Sequence, residues 1–302
     1  MTTRKPVPYE DLRGYLKLLE DKGMLVRISS EVDLDGELGA IAYRDLVRDG
    51  PALWFDNIKD YPGMPLVANI MYREDQLALA LNGDADWANL RDIIHEGMQD
   101  RTPSNIVETG PVKEVKIMGE DVDLDMLPTP RWHEEDGGRY IGTTAGFVTK
   151  DPLNGNLNMG QYRSMIIDKN TTTVEIMGDW EVGAKPPQAS NYGGVGDRNG
   201  VVHILENEEK GLPTPCAIVL GMDPLLTLSC GTAVPHDENG HGEYEAAGSW
   251  AGRPVDLVKC ETSDLMVPAN AEIVLEGEIV PYERVNDGPH GESTGFYNQH
   301  PS

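Results

Sequence analysis

The patterning of this chain changes near residue 111, and that change limits it to a fold with two differently built parts. Before it, helix and strand signals alternate. Leu12, Leu16 and Leu19 recur at helical spacing within residues 9–21, and Gly23 stands where a helix would stop. Residues 24–28 then read as a strand. Residues 35–48 predict a second helix with Leu38, Ile41, Ala42 and Leu46 on one face, and 52–55 and 66–70 predict buried strands. Residues 74–81 and 87–98 predict two more helices, the latter carrying Leu90, Ile93 and Ile94. Residues 101–111 hold Pro103, Gly110 and Pro111 and read as a linker.

Past that linker the pattern becomes strand–turn–strand. Residues 112–117 predict a strand before a Gly119-Glu120-Asp121 turn. Segments 142–150 and 158–168 flank Asp151-Pro152-Leu153-Asn154-Gly155, a hairpin signal. Helices are expected at 201–210 and 243–251, and strands at 217–221, 255–259 and 271–280. The expectation is an α+β chain, with an α/β domain over 1–108 and a barrel-like β domain over 109–302. Residues 183–200 form a Gly/Pro/Asn-rich loop longer than packing alone requires.

Charge narrows the function. The 302 residues carry 25 Lys+Arg against 51 Asp+Glu, a net charge of −26. A nucleic-acid binder needs a basic surface, so that class is excluded, and an anionic membrane is disfavoured. Cys216, Cys230 and Cys260 are widely spaced with no CxxC, as expected for buried thiols in a reducing compartment. The N-terminal residues lack the apolar core of a signal peptide. No apolar run reaches the roughly 18 residues of a membrane helix. A soluble, cytoplasmic protein is expected.

Three segments can carry chemistry. Arg163 follows the otherwise uncharged run Asn156-Leu157-Asn158-Met159-Gly160-Gln161-Tyr162. It either sits on the exposed face of an edge strand or is buried, and a buried guanidinium must be paired or bind an anion. Asp287-Gly288-Pro289-His290-Gly291-Glu292 places two carboxylates in a stretch too rich in Gly and Pro for regular structure. It is either an acidic surface turn or a loop that aims both acids at one point. Near an arginine, one acid would stay ionised while the other holds a proton. The third segment, His236-Asp237-Glu238-Asn239-Gly240-His241-Gly242-Glu243, offers imidazoles and carboxylates to a divalent metal but lacks HExxH. Its bland reading is a polar loop ahead of a helix, with Glu243 favourable in the first turn. Gly193-Gly194-Val195-Gly196 lacks the helix-opening context of a phosphate loop, and no P-loop, GxGxxG or nucleophile elbow occurs.

In order and spacing, these segments resemble the UbiD family of prenylated-flavin-dependent decarboxylases. The resemblance runs through Asp11-Leu12-Arg13-Gly14-Tyr15-Leu16, Leu127-Pro128-Thr129-Pro130, Asp136-Gly137-Gly138-Arg139-Tyr140-Ile141, Gly221-Met222-Asp223-Pro224 and Ala271-Glu272-Ile273-Val274-Leu275-Glu276-Gly277-Glu278. It is sharpest at Asn158 to Arg163 and at Asp287 to Tyr297. It implies an N-terminal α/β domain followed by a flavin-binding split β-barrel. It also implies prenylated FMN, bound through Mn²⁺ or Mg²⁺ with K⁺ nearby, and a flavin prenyltransferase as supplier. By motif position the metal ligands would be Asn158, Glu243 and, where the family has histidine, Asn191. Met159, Gly160, Tyr162, Arg163, Gly193, Gly194, Thr232, Ala233 and Pro235 would line the cofactor. Arg163, Asp287 and Glu292 would be catalytic: arginine orienting the substrate carboxylate, Asp287 holding the arginine, Glu292 donating the proton that replaces CO₂.

Two departures stand out. Asp287 replaces the commoner glutamate, one methylene longer, and His290 replaces an aromatic ring. Family members usually continue into a C-terminal domain that aids oligomerisation, so a truncated chain or one completed by another subunit is expected. The rival functions are a non-catalytic UbiD-like flavin-binding or assembly subunit and a metal-only hydrolase built on His236–Glu243.

Overall fold

The computed structural model describes residues 4–176, 200–232 and 234–298. Its first part is α1 (Leu12–Asp21), β1 (Leu25–Ile28), α2 (Glu37–Leu46), β2 (Ala52–Phe55), β3 (Leu66–Ala68), α3 (Glu74–Ala80) and α4 (Trp87–Gln99). The second part runs through β4 (Asn105–Ile106), β5 (Gly146–Lys150), β6 (Leu157–Gln161), β7 (Ile166–Asp168), β8 (Thr171–Thr172), α5 (Gly200–Glu208) and β9 (Thr214–Leu220). It continues with α6 (Pro224–Cys230), α7 (Glu243–Ala251), β10 (Asp256–Lys259), β11 (Met266–Pro268), β12 (Ile273–Ile279), β13 (His290–Gly291) and β14 (Tyr297–Asn298). The fold is α+β, as the pattern change required.

Local chemistry accounts for the helix starts. Asp11 caps α1 by accepting from the Gly14 N–H at 2.7 Å, and Asp86 caps α4 through Ala88 N–H. The apolar spacing read in α1 buries Tyr15, Leu16 and Leu19. The Tyr15 hydroxyl then donates to backbone carbonyls of Ile70 and Gln76, tying α1 to the α3 region. β1, β2 and β3 form a small sheet, parallel between β1 and β2 and antiparallel between β2 and β3.

The larger sheet has the order β12-β9-β5-β6, antiparallel throughout. The predicted hairpin at 151–155 joins β5 to β6 with Thr149 opposite Asn158. Strand alternation sends Val148, Met159, Ala217 and Val219 to one face, and Phe147, Cys216 and Ile218 to the other. The first face packs into a core that also contains Tyr15, Leu19, Leu90 and Trp250. One core therefore joins helices from before the pattern change to strands from after it.

Two expectations fail. Residues 112–117 do not form a strand; only a 3-10 turn at Pro111–Lys113 is present, and Val115 is exposed. Val112 N–H donates to the Ala269 carbonyl at 3.2 Å, just past β11, and among the described residues no strand ladder extends from that contact. Helix α6 was not expected, although Asp223 accepts from the Leu225 N–H and Pro224 occupies the first helical position. All three cysteines are buried and free. No helix among the described residues is long and apolar enough to cross a membrane.

The α4–α7 contact anchors α7 near its C-terminal end. Trp250 is fully buried, and its indole N–H donates to the Ile94 carbonyl at 3.0 Å. Gly97 makes room for the ring: a Cβ there would lie 2.0 Å from Trp250 Cδ1. Gly97→Ala should therefore destabilise the chain by about 1–3 kcal/mol through overpacking. Urea unfolding followed by tryptophan fluorescence checks this; an unchanged midpoint would show that the indole can move aside freely.

Candidate active site

Arg163 lies two residues past β6, where its carbonyl oxygen accepts from the Glu175 N–H at 3.0 Å. Its side chain is 8% exposed, so of the two readings open in the sequence it is the buried one. The partner is Asp287. Arg163 Nε donates to Asp287 Oδ2 at 2.6 Å, and Nη2 donates to the Asp287 carbonyl oxygen at 3.3 Å. Thr173 Oγ1 donates to the other carboxylate oxygen at 2.8 Å. Burial works against the guanidinium's charge, but the hydrogen bond and charge of Asp287 outweigh it, and the Arg163 pKa rises. An aspartate suffices here because the backbone of the loop itself comes within reach of the arginine.

The segment before β5 clamps that loop. Asp136 has a fully buried side chain. Its Oδ1 accepts from the Gly291 N–H at 2.7 Å and its Oδ2 from the His133 N–H at 2.9 Å. The Gly137 N–H donates to the Pro289 carbonyl at 2.8 Å. A Cβ on Gly137 would sit 2.4 Å from the Gly288 carbonyl oxygen, so this approach requires glycine. In the sequence, Asp136 and Gly137 stand out only through the family resemblance. A carboxylate followed by two glycines was the signal available for their anchoring role.

His290 is buried against Tyr140, with ring centroids 4.3 Å apart, and its Nδ1 lies 3.9 Å from Asp136 Oδ1. Burial lowers its pKa, and the charge of Arg163 adds to that, against the opposing pull of Asp136 and Glu292. Glu292 heads a turn in which its N–H donates to the Phe296 carbonyl. Its side chain is 43% exposed, and Oε1 lies 3.6 Å from Arg163 Nη1, too long for a hydrogen bond. The structure thus brings Arg163, Asp287 and Glu292 together. Two sides of the guanidinium are occupied by Asp287, and the Nη1 side faces Glu292 across a gap.

The other end of β6 holds the expected metal ligands. Glu243 opens α7 and is buried, and its Oε2 accepts from the Met159 N–H at 3.3 Å. Burial raises its pKa to about 7. Asn158 is buried, and its Nδ2 has no close hydrogen-bond partner among the described residues. Both side chains offer oxygen, which suits Mn²⁺ or Mg²⁺ better than zinc. The α6–α7 connection runs along the same strand: His236 Nε2 is 2.7 Å from the Leu157 carbonyl oxygen. Thr232 Oγ1 donates to the Leu228 carbonyl, and the Pro235 carbonyl accepts from Arg101 Nη2. The Tyr162 ring lies over Gly160, where a Cβ would be 2.5 Å from it. Asn191, Gly193, Gly194 and Ala233 lie outside the described residues.

The His236–Glu243 segment is not gathered as a metal centre. His241 Nδ1 pairs with Asp237 Oδ2 at 2.9 Å, and Asp237 Oδ1 accepts from the Asn239 and His241 N–H groups. Among the described residues, no group of three or more His, Cys, Asp or Glu could hold a metal ion.

Comparison with known proteins gives the family of the chain. Residues 105–302 match the family model described as the 3-octaprenyl-4-hydroxybenzoate carboxy-lyase Rift-related domain, and 16–96 match the N-terminal domain of the same enzyme. An uncharacterised Synechocystis protein is 34% identical over 95% of this chain and 57% of its own length. The chain therefore spans a little over half of that curated relative. The UbiD-class enzyme HmfF from Pelotomaculum thermopropionicum, in complex with FMN, superposes with a TM-score of 0.81 at 29% identity, over 96% of this chain and 59% of that one. The vanillic acid decarboxylase of Sedimentibacter hydroxybenzoicus, in its closed form, gives 0.83 at 30% identity over 96% and 59%.

The lowered pKa of His290 has a direct readout. Its NMR titration midpoint should fall below the ordinary 6.5, leaving the ring neutral at pH 7. Because the folded state resists protonation, the stability it contributes is complete above that ordinary value and is lost as pH falls through the folded pKa. A midpoint at or above 6.5 would place the ring in a wetter or more acidic setting than the one described.

Proposed function

We propose, because this chain belongs to the UbiD family, that it is a non-oxidative, reversible carboxy-lyase acting on an aromatic or α,β-unsaturated carboxylic acid with prenylated FMN. The observation that carries this reading is the buried Arg163–Asp287 pair with Glu292 across a 3.6 Å gap. Support for the cofactor comes from two solved structures of HmfF, one in complex with FMN and one, an evolved dimeric form, with prenylated FMN. Asn158 and Glu243 would hold the cofactor's phosphate through Mn²⁺ or Mg²⁺, with K⁺ nearby. Met159, Gly160, Tyr162, Thr232 and Pro235 would flank it along β6. When bound, prenylated FMN supplies the electron sink for the pair of electrons left behind as the carbon–carbon bond breaks.

The chain's own residues do the rest. Asp287 occupies Nε and Nη2 of Arg163 and so fixes the direction in which Nη1 points. Nη1 then receives the substrate carboxylate as a charge-assisted hydrogen bond. This local positive group matters, because the net charge of −26 repels an anionic substrate at long range. CO₂ carries no charge and loses that hold on Arg163 once formed. Glu292, in its protonated form, gives its proton to the carbon that lost CO₂, and its partial exposure lets it recover a proton from solvent. In the reverse direction Glu292 takes a proton and Arg163 receives the new carboxylate. His290 and Tyr140 form an uncharged wall beside the pair. A flavin prenyltransferase would supply the cofactor, and the working form would be a homo-oligomer or a subunit beside a partner.

Glu292→Gln tests the assignment without disturbing the buried pair. Protein co-expressed with a flavin prenyltransferase is screened against aromatic and unsaturated acids for CO₂ release. The substitution should lower turnover by about 10²–10⁴-fold, as loss of a general acid does, while thermal stability stays unchanged. Near-normal turnover in the variant would remove Glu292 from the mechanism. Bound flavin with no CO₂ release from any acid in the wild type would favour the assembly-subunit reading. Arg163→Ala should both abolish turnover and cost about 3–5 kcal/mol of stability, because it strands a buried carboxylate.

A further inference from the structure

We propose that His133 is a positioning residue for Glu292, its ring serving by shape as the seat for the end of the catalytic loop, a role that rests on the reading of Glu292 as the proton donor. The contact that carries this is with Gly291, the residue before that acid. A Cβ on Gly291 would lie 2.4 Å from both Cγ and Nδ1 of His133, so the glycine backbone lies directly against the imidazole. Gly291 has no positive φ, so it is the ring, and not the backbone conformation, that leaves no room for a side chain there.

The imidazole is itself held on several sides. Tyr43 of α2, His290 and Tyr297 meet it edge-on, with ring centroids at 6.3, 6.4 and 6.1 Å and interplanar angles of 74°, 82° and 77°. Edge-to-face packing at such separations favours one ring orientation over others. The backbone beneath the ring is also fixed. The His133 N–H donates to Asp136 Oδ2, and the Trp132 carbonyl lies over Gly39 of α2, where a Cβ would be 1.7 Å from the oxygen. The ring's Nδ1 is 3.7 Å from Asp136 Oδ1, too far for a hydrogen bond, and has no such partner among the described residues. Shape, rather than a polar bond from the ring, is what His133 offers the loop.

That shape reaches Glu292 through a tight turn. The Glu292 N–H donates to the Phe296 carbonyl at 2.8 Å, and the Gly295 N–H donates to the Glu292 carbonyl at 2.9 Å. β13 and β14 close the turn, with Gly291 opposite Tyr297. The Tyr297 hydroxyl oxygen accepts from the Glu135 N–H at 3.1 Å, and a Cβ on Gly295 would lie 2.8 Å from Tyr43 Oη. Both arms of the turn therefore rest on the group of rings around His133. Glu292 Oε1 is 3.6 Å from Arg163 Nη1, beyond hydrogen-bond reach, so the place of the acid is set by the turn that carries it. Through Tyr43, the α/β part of the chain takes part in placing an acid that lies more than 240 residues away in sequence.

The test uses the whole chain co-expressed with a flavin prenyltransferase, an acid from the CO₂-release screen, and ¹⁵N-arginine for NMR. His133→Ala should lower kcat at least about tenfold with KM within about twofold, because Arg163 and not Glu292 holds the substrate carboxylate. His133→Phe keeps a planar ring without nitrogens and should stay within about threefold of wild type. Gly291→Ala should cost at least about tenfold alone but no more than about twofold when added to His133→Ala, because the clash needs both partners. Arg163 gives a readout that needs no turnover. Its Nη1 signal should shift in His133→Ala and in Gly291→Ala, while the Nε signal, bonded to Asp287, stays in place. A His133→Phe variant as slow as His133→Ala, additive costs in the double variant, or an unmoved Nη1 signal would each overturn the proposal. A wild type that releases no CO₂ from any acid would instead remove the donor reading of Glu292, and the Nη1 signal would still decide whether His133 places that side chain.

Discussion

The buried contact between Arg163 and Asp287 is the constraint around which this half of the molecule is organised. Removing both charges from water costs several kcal/mol per ion, and only close geometry and further hydrogen bonds recover it. Here those bonds exist: Nε and Nη2 on the arginine side, Thr173 Oγ1 on the aspartate side. The two residues are 124 positions apart, so the pair ties the end of β6 to a loop that has almost no regular structure of its own. A Gly/Pro-rich loop gains its shape from such anchors rather than from propensity. Asp136 supplies the second anchor by accepting from Gly291 N–H. His290 lies between the two anchors, and Glu292 follows directly after the second.

The opposite end of β6 depends on a different kind of force. Glu243 stands at the first turn of α7, and α7 is held by Trp250 packed into the space left at Gly97 of α4. That packing belongs to a core shared by α1, α4, β5, β9 and α7. Asn158 and Arg163 thus sit along one stretch of backbone, with an apolar core fixing one end and a buried ion pair fixing the other. A carboxylate pushed toward neutrality by burial and an amide whose nitrogen has no close partner among the described residues face the first end. Both are costly unless something cationic or polar compensates them.

Much of this was legible in the residues. The helix at 243–251 and the strand at 52–55 fall where periodicity placed them, and the Asp151–Gly155 turn joins β5 to β6. These are local signals: caps, turn residues and repeat period. The misses share a different cause. The composition of 112–117 suits a strand, but strand formation needs a paired neighbouring edge, which no local pattern encodes. Helix α6 is short and was obscured by its flanking glycines, despite the Asp223-Pro224 start. The convergence of Asp136, Thr173 and Asp287 could not be derived from spacing, because the three come from separate loops. The question left open at Arg163, exposed edge or buried pair, was likewise one that only the fold could answer.

The most direct measurement is native mass spectrometry of the chain after co-expression with a flavin prenyltransferase. A one-to-one complex with the mass of prenylated FMN is expected, lost or much weakened in Glu243→Ala and retained in Glu292→Gln. Protein that carries no flavin mass under these conditions, or that binds it equally well without Glu243, would contradict the cofactor cleft along β6 and the chemistry built on it.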